Sequence, residues 1–350
     1  MSTGKSVGFW REAWRRFRRQ RIPFAAFLFV GFLALSALLA PFVAGTKPMV
    51  CRYKGELYSP FVAYYGGPEN GVFFRDRFRG VYPVPLKKKD PESWAVWPLL
   101  YKDPYRRIES GEWDGDPGDK ALAPPSSRNL FGTDEQGRDV LARVLYGTRI
   151  ALLVGVISMG IAGTLGILIG ALAGYFGGKV DLVISRIIEV LMCVPTLVLI
   201  LALLSIIERP GILHLMAVIG FTRWDSIARL TRGEVMRIKA SDYVLAARAL
   251  GASWQRILFR HVLPNALAPA FVTIAFGIAN AVLIESALAL LGFGSTPDSP
   301  SWGRTLESWR SNKDCWWLAV FPGTAIFLTV LAYNLVGDGL QEATDPRLRD

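Results

Sequence analysis

Tyr243-Val244-Leu245-Ala246-Ala247-Arg248-Ala249-Leu250-Gly251-Ala252-Ser253, followed by His261-Val262-Leu263-Pro264, lies in a polar, arginine-rich stretch between long apolar runs. Ser241 or Asp242 can cap a first helix, the alanines at 246, 247 and 249 favour it, and Gly251 can take the left-handed conformation that ends it. Ser253 can restart the chain as a second helix, which the spacing predicts to stop near Pro264. The small alanines leave one face flat enough for another protein to approach closely. A helix, a glycine, a second helix and a terminal Leu-Pro make a helical hairpin, and such a hairpin can carry force from a soluble partner into the apolar runs beside it. The fold class follows: an all-α polytopic membrane protein.

Working outward, 51% of the 350 residues are hydrophobic, which is too apolar for an ordinary soluble domain of this length. Eleven Trp, eleven Tyr and twenty Phe suit a chain with membrane interfaces to anchor. The net charge of +11 would fit nucleic acid, but the basic residues flank apolar runs, where anionic lipid and topology account for them. Membrane lipid is therefore an expected partner and nucleic acid is not. Cys51, Cys193 and Cys315 form no CxxC, so metal and redox chemistry are not indicated. Cys51 and Cys315 fall on one side of the topology below, where a disulfide is conceivable, and three unrelated thiols is the preferred reading.

Between Phe9 and Arg21, Trp10, Trp14 and Phe17 recur at helical spacing among six arginines, as in an amphipathic helix on an anionic membrane face. Phe24 to Ala44 is an uncharged run long enough to cross a bilayer, and too long for a signal peptide despite the Arg15-Arg16 pair. Five more spans are predicted, at about 150–175, 182–207, 211–227, 266–291 and 317–335. The basic N-terminal segment and the loop holding Arg229, Arg232, Arg237, Lys239, Arg248, Arg256 and Arg260 fall on one side, so the positive-inside rule is met twice with both termini cytoplasmic.

The domain division is then a cytoplasmic amphipathic segment with the first transmembrane helix (1–45), an insertion outside the membrane with a lead-in helix (46–149), and a five-helix core (150–350) whose cytoplasmic loop covers 228–265. The insertion is predicted to hold short strands and turns. It carries the basic Lys87-Lys88-Lys89, an acidic stretch from Glu112 to Asp119, and Pro124-Pro125-Ser126-Ser127 as a linker.

The Ala246-Ala247-x-x-x-Gly251 spacing with Leu263-Pro264 resembles the EAA loop of ABC-importer permeases. The likeness extends to Phe131-Gly132-Thr133-Asp134-Glu135-Gln136-Gly137-Arg138-Asp139, Gly170-Ala171-Leu172-Ala173-Gly174-Tyr175-Phe176-Gly177-Gly178, Pro300-Ser301-Trp302-Gly303, Gly337-Asp338-Gly339-Leu340 and Asp345-Pro346-Arg347-Leu348. These cover residues 130–350 almost without a gap, and the chain resembles a permease of the dipeptide and oligopeptide importers. The insert beginning Lys54-Gly55-Glu56-Leu57-Tyr58 and containing Trp97-Pro98 is similar to that of the microcin C-type peptide transporter branch.

The resemblance implies a type I ABC-importer permease fold in the bacterial inner membrane, importing peptides or peptide-like compounds by alternating access. It implies a second homologous permease, ATP-binding subunits and a periplasmic peptide-binding protein as partners. The docking loop would comprise Asp242, Ala246, Ala247, Gly251, Ala252, Leu263 and Pro264. One departure stands out: Leu245 occupies the position where many family members carry the glutamate that names the loop. ATP and Mg would belong to the partner subunit, and this chain would hold no cofactor. Consistently, no GxxxxGK[ST] occurs: before Gly178-Lys179 the earlier glycine is Ala173, and Val180 follows. His214 and His261 are the only histidines, too few for a metal site or a Ser-His-Asp triad.

Four further features invite expectations. Asp134 to Arg149 reads as an amphipathic helix at the outer surface or as a plain lead-in to the second span. Gly166, Gly170 and Gly174 form a double GxxxG ridge for close helix packing. Arg186 and Glu189, three apart, would neutralise each other. Glu285, with Asn280 before it, either lines the pathway or bonds a neighbouring helix. An ion-coupled secondary transporter would leave the hairpin unexplained. A membrane-anchored enzyme would need its site in residues 46–149, which contain no histidine.

Overall fold

The computed structural model describes residues 9–53, 55–59, 90–108, 120–208, 210–293 and 298–345. The Lys87–Lys89 patch, the Glu112–Asp119 stretch and Pro346-Arg347-Leu348 lie outside those residues. The helices are α1 (Phe9–Phe17), α2 (Arg21–Val43), α3 (Val140–Phe176), α4 (Gly178–Cys193), α5 (Thr196–Ser205), α6 (Ile212–Thr222), α7 (Trp224–Lys239) and α8 (Asp242–Ala249). They continue with α9 (Trp254–Leu290), α10 (Trp302–Ser311) and α11 (Trp317–Thr344).

Four of these are long and apolar enough to cross a membrane: α2, α3, α9 and α11. The span expected at 182–207 is instead two helices, α4 and α5, bent by 88°. Pro195 is the cause, because a proline drives the preceding residue out of the helical region, and Val194 is extended at φ −94°, ψ 127°. The pair counts as a fifth span only if taken together. The span expected at 211–227 is likewise divided at Arg223 into α6 and α7. With 11 residues, α6 reaches only about 16 Å at about 1.5 Å per residue, well short of the roughly 30 Å hydrocarbon core.

The chain forms two compact units. Among the described residues, those within 1–32, 151–296 and 326–350 form the first, and those within 33–150 and 297–325 the second.

In the first unit, the ridge of α3 meets α7. A Cβ at Gly166 would lie 2.7 Å from the Trp224 carbonyl, at Gly170 2.3 Å from that of Ala228, and at Gly174 2.6 Å from that of Arg232. No side chain larger than hydrogen fits, so the two backbones touch, as the four-residue spacing predicts. Asp181 of α4 and Arg232 of α7 add a two-pronged ion pair, with Nη2 to Oδ2 at 2.7 Å. At the N-terminal end, Phe17 is buried with Ala26, Ala332, Val336 and Ala343, which fastens α1 against α2 and α11.

In the second unit, β1 (Val50–Tyr53), β2 (Glu56–Tyr58) and β3 (Trp94–Val96) form an antiparallel sheet in the order β2-β1-β3. Short strands were expected here. Segment 297–325 folds with residues 33–150, a grouping that proximity in sequence does not suggest. Trp302 is buried, and its indole N–H donates to the Val144 carbonyl at 2.8 Å. Phe131 stacks on Phe321 with ring centroids 3.8 Å apart. Pro124–Ser127 is no free linker: the Ser126 N–H donates to the Asn129 carbonyl, and that of Ala123 to the Thr133 hydroxyl.

The reading of Asp134 to Arg149 as an amphipathic surface helix is corrected. The helix starts at Val140, and Asp134, Arg138, Asp139 and Arg143 are all buried. Asp134 Oδ2 receives Arg138 Nε at 2.7 Å and lies 3.5 Å from Arg143 Nε. Arg143 also donates to the carbonyls of Pro104 at 3.1 Å and Ser299 at 2.8 Å. Asp139 caps α3 through the Ala142 N–H and pairs with Lys102 at 3.4 Å. Burial is the largest influence on the Asp139 carboxyl and raises its pKa, against the opposing pull of Lys102. Cys51 and Cys315 are free and buried, and burial lifts the Cys51 thiol to about 11.

Candidate functional site

The hairpin occurs as expected over its first helix. α8 begins after Ser241 and ends at Leu250, with Gly251 at φ +80°. That left-handed residue lets the Ala252 N–H fold back onto the Ala247 carbonyl at 3.1 Å. Ser241 holds the cap position, but its hydroxyl donates backward to the Ile238 carbonyl. Ser253 starts the second helix, its hydroxyl accepting from the Arg256 N–H at 3.4 Å.

The expected stop at Pro264 does not occur. Residues Ile257–Val262 form a π-helical turn, and the chain then runs on as α-helix to Leu290. The change of register places Pro264 in the first turn of the new α segment, a position that tolerates proline. The hairpin is therefore continuous with a membrane-length helix.

Two faces of α8 differ sharply. Val244 is fully buried in a cluster with Ala171 and Tyr175 of α3, Val235 and Ile238 of α7, and Ile257, Leu258, Val262 and Ala266 of α9. Ala252 and Leu263 pack against that cluster. The Asn265 amide donates to the His261 carbonyl at 2.8 Å, and Lys239 reaches the Tyr175 carbonyl. On the other side Asp242, Ala246 and Gly251 are exposed and Ala247 is half-buried. Leu245 is 48% exposed and Leu250 88% exposed. An apolar side chain that open on a short helix is unusual unless something covers it. Leu250 was not among the loop residues singled out from the sequence, although its place just before the glycine marks it as the end of the helix.

The expected intramembrane polar residues separate. Arg186 and Glu189 pair at 2.6 Å on the open face of α4. Glu285 is buried, with Ser286 at 3.4 Å, whereas Asn280 is exposed and its amide donates to the Phe276 carbonyl on its own helix. The two do not form one site.

Four helices long and apolar enough to cross a membrane, with a short exposed helix seated against α3, α7 and α9, define a polytopic membrane protein. Residues 166–350 match the family of binding-protein-dependent transport system inner membrane components, and residues 8–60 match the N-terminal transmembrane domain of oligopeptide transport permease C. The chain is 34% identical over 337 residues to the inner membrane ABC transporter permease protein YejE of Escherichia coli, covering 95% of this chain and 96% of that one. It is 33% identical over 341 residues to the glutathione transport system permease protein GsiD of Pectobacterium atrosepticum (97% and 92% covered). It is 30% identical over 359 residues to the peptidoglycan transport system permease protein YejE of Agrobacterium fabrum (96% and 93% covered). This chain belongs to the family of binding-protein-dependent transport system inner membrane components. It is a permease subunit of an ABC importer, the pore-forming rather than the ATP-hydrolysing component.

Proposed function

We propose that this permease carries peptides or peptide-like compounds into the cytoplasm, pairing with a second homologous permease so that the pathway lies between them. ATP-binding subunits, holding ATP and Mg, would dock on α8 and its flanks through Asp242, Ala246, Ala247, Gly251 and Ala252. Leu263 and Pro264 would pass the motion into α9. A periplasmic peptide-binding protein would deliver the cargo, both termini being cytoplasmic and residues 46–149 lying outside.

The observation that carries this reading is the division of α8. Its open face presents Leu245, Ala246 and Leu250, and its other face is seated by Val244 among residues of α3, α7 and α9. A partner pressing on the open face would displace three helices as a rigid body, which is what alternating access requires. Leu245 contributes apolar contact where a glutamate would have offered charge. Asn280, exposed on an apolar helix, is the better candidate for the pathway. Buried Glu285 suits an interhelical role. The peptide class is supported by the relatives' names and by the likeness of the insert.

Leu250→Asp tests the reading. The variant should reach the membrane at wild-type level yet lose co-purification of the ATPase and nearly all uptake of a peptide substrate. Wild-type uptake in that variant, or a stable wild-type preparation that transports with no ATPase present, would favour ion-coupled transport instead.

A further inference from the structure

Four arginines of the basic N-terminal segment take no part in the docking reading of α8. Arg11 and Arg15 stand four residues apart on α1, and Arg18 and Arg19 follow in the turn just past its end at Phe17. The four gather around one cavity as like-charged neighbours, an arrangement that is unfavourable while nothing neutralises it. The one carboxylate on α1, Glu12, is taken by Arg16 at 2.7 Å. All four remaining arginines are exposed, and together with Trp14 they line a single cavity of about 590 Å³.

That cavity is fixed in place. Trp14 stacks on Phe17 at 5.8 Å and meets the edge of Phe27 at 5.6 Å, while the Arg18 guanidinium lies 5.8 Å from the Phe24 ring. Phe17 is anchored in the core, and Phe24 and Phe27 belong to the opening turns of α2. Since α2 is a membrane-length apolar helix beginning at Arg21, the cavity lies where the bilayer's polar headgroups begin. Guanidinium forks match phosphate oxygens two at a time, and tryptophan favours this same depth.

We propose that Arg11, Arg15, Arg18 and Arg19, with Trp14, bind the phosphate of an anionic phospholipid. The lipid would relieve the repulsion among the four guanidinium groups and pin α1 at the interface. This site is independent of the docking reading of α8 and rests only on α2 crossing the membrane.

The full-length protein in mild detergent is titrated with phosphatidylglycerol, phosphatidylcholine and inorganic phosphate, and retained lipid is counted by native mass spectrometry. Wild type should hold phosphatidylglycerol at least about tenfold more tightly than phosphatidylcholine. The combined R11Q/R15Q/R18Q/R19Q variant should bind the two equally. Because all four side chains are exposed, the variant should keep its melting temperature. Should it fail to insert, R11Q/R15Q carries the same comparison. An undiminished preference in the glutamine variant overturns the proposal. So does full preference in the fourfold lysine variant, which would mean diffuse attraction rather than a fitted site. Displacement of the lipid by equimolar inorganic phosphate would reassign the site to the free ion.

Discussion

Helix α3 is held by opposite means at its two ends. Its first turns belong to an ionic hub, where Asp134, Arg138, Asp139 and Arg143 are buried beside a half-buried Lys102 and Arg143 is joined to two backbone carbonyls. Its later turns carry no charge and press three glycines against the backbone of α7. The hub depends on every partner being present, because a buried charge left alone is far costlier than the pair is favourable. The ridge depends on an absence, the lack of any side chain at Gly166, Gly170 and Gly174. Substitutions should therefore act by different routes: at the hub by stranding charge, at the ridge by forcing helices apart.

The largest effect is expected at the hub. Arg143→Ala strands part of the Asp134 charge and the carbonyls of Pro104 and Ser299, at a cost of about 3–5 kcal/mol. Thermal unfolding in detergent should show a loss of that order, and a wild-type melting temperature would mean that water reaches the hub. Gly170→Val is next, since the ridge cannot accept a Cβ 2.3 Å from a carbonyl oxygen without moving α3. About 1–3 kcal/mol is expected from overpacking alone, and unchanged stability would show the contact to be soft.

A smaller, pH-dependent effect belongs to Asp139. Its folded pKa is raised by burial, so the folded state holds the proton more tightly than the unfolded chain does. The stability it adds is present below the unfolded pKa and lost as pH rises through the folded one. Asp139→Asn keeps an acceptor for the Ala142 N–H and removes the titration, so it should flatten the fall of melting temperature across that window. An equally steep fall in the variant would trace the slope to another group. The least effect is expected at Gly160, on the same helix, where an added Cβ meets nothing within 4 Å. Gly160→Ala should stay within about 0.5 kcal/mol of wild type, and a large loss there would dissolve the contrast with Gly170.

Much of the molecule was legible in residue order. The ridge follows from a four-residue glycine spacing, and the hairpin from Ala246, Ala247 and Gly251, because helix periodicity and backbone freedom are local properties. The break at Pro195 was equally local, yet an apolar run of spanning length masked it. The hub was not legible: Arg138, Asp139 and Arg143 have the pattern of a solvated helix face. Only the return of segment 297–325 and the approach of Pro104 and Lys102 remove the water from it.

Sequence alone determined the membrane setting and the place of the hairpin, since each rests on composition, run length or short spacing, and its motifs carried the resemblance to a family. Tertiary structure alone decided that the polar face after Asp134 is interior and that the hairpin continues through a π-turn into α9. It also decided that Leu250 stands open while Val244 is enclosed. Burial depends on which distant segments arrive, and no local pattern of residues carries that information.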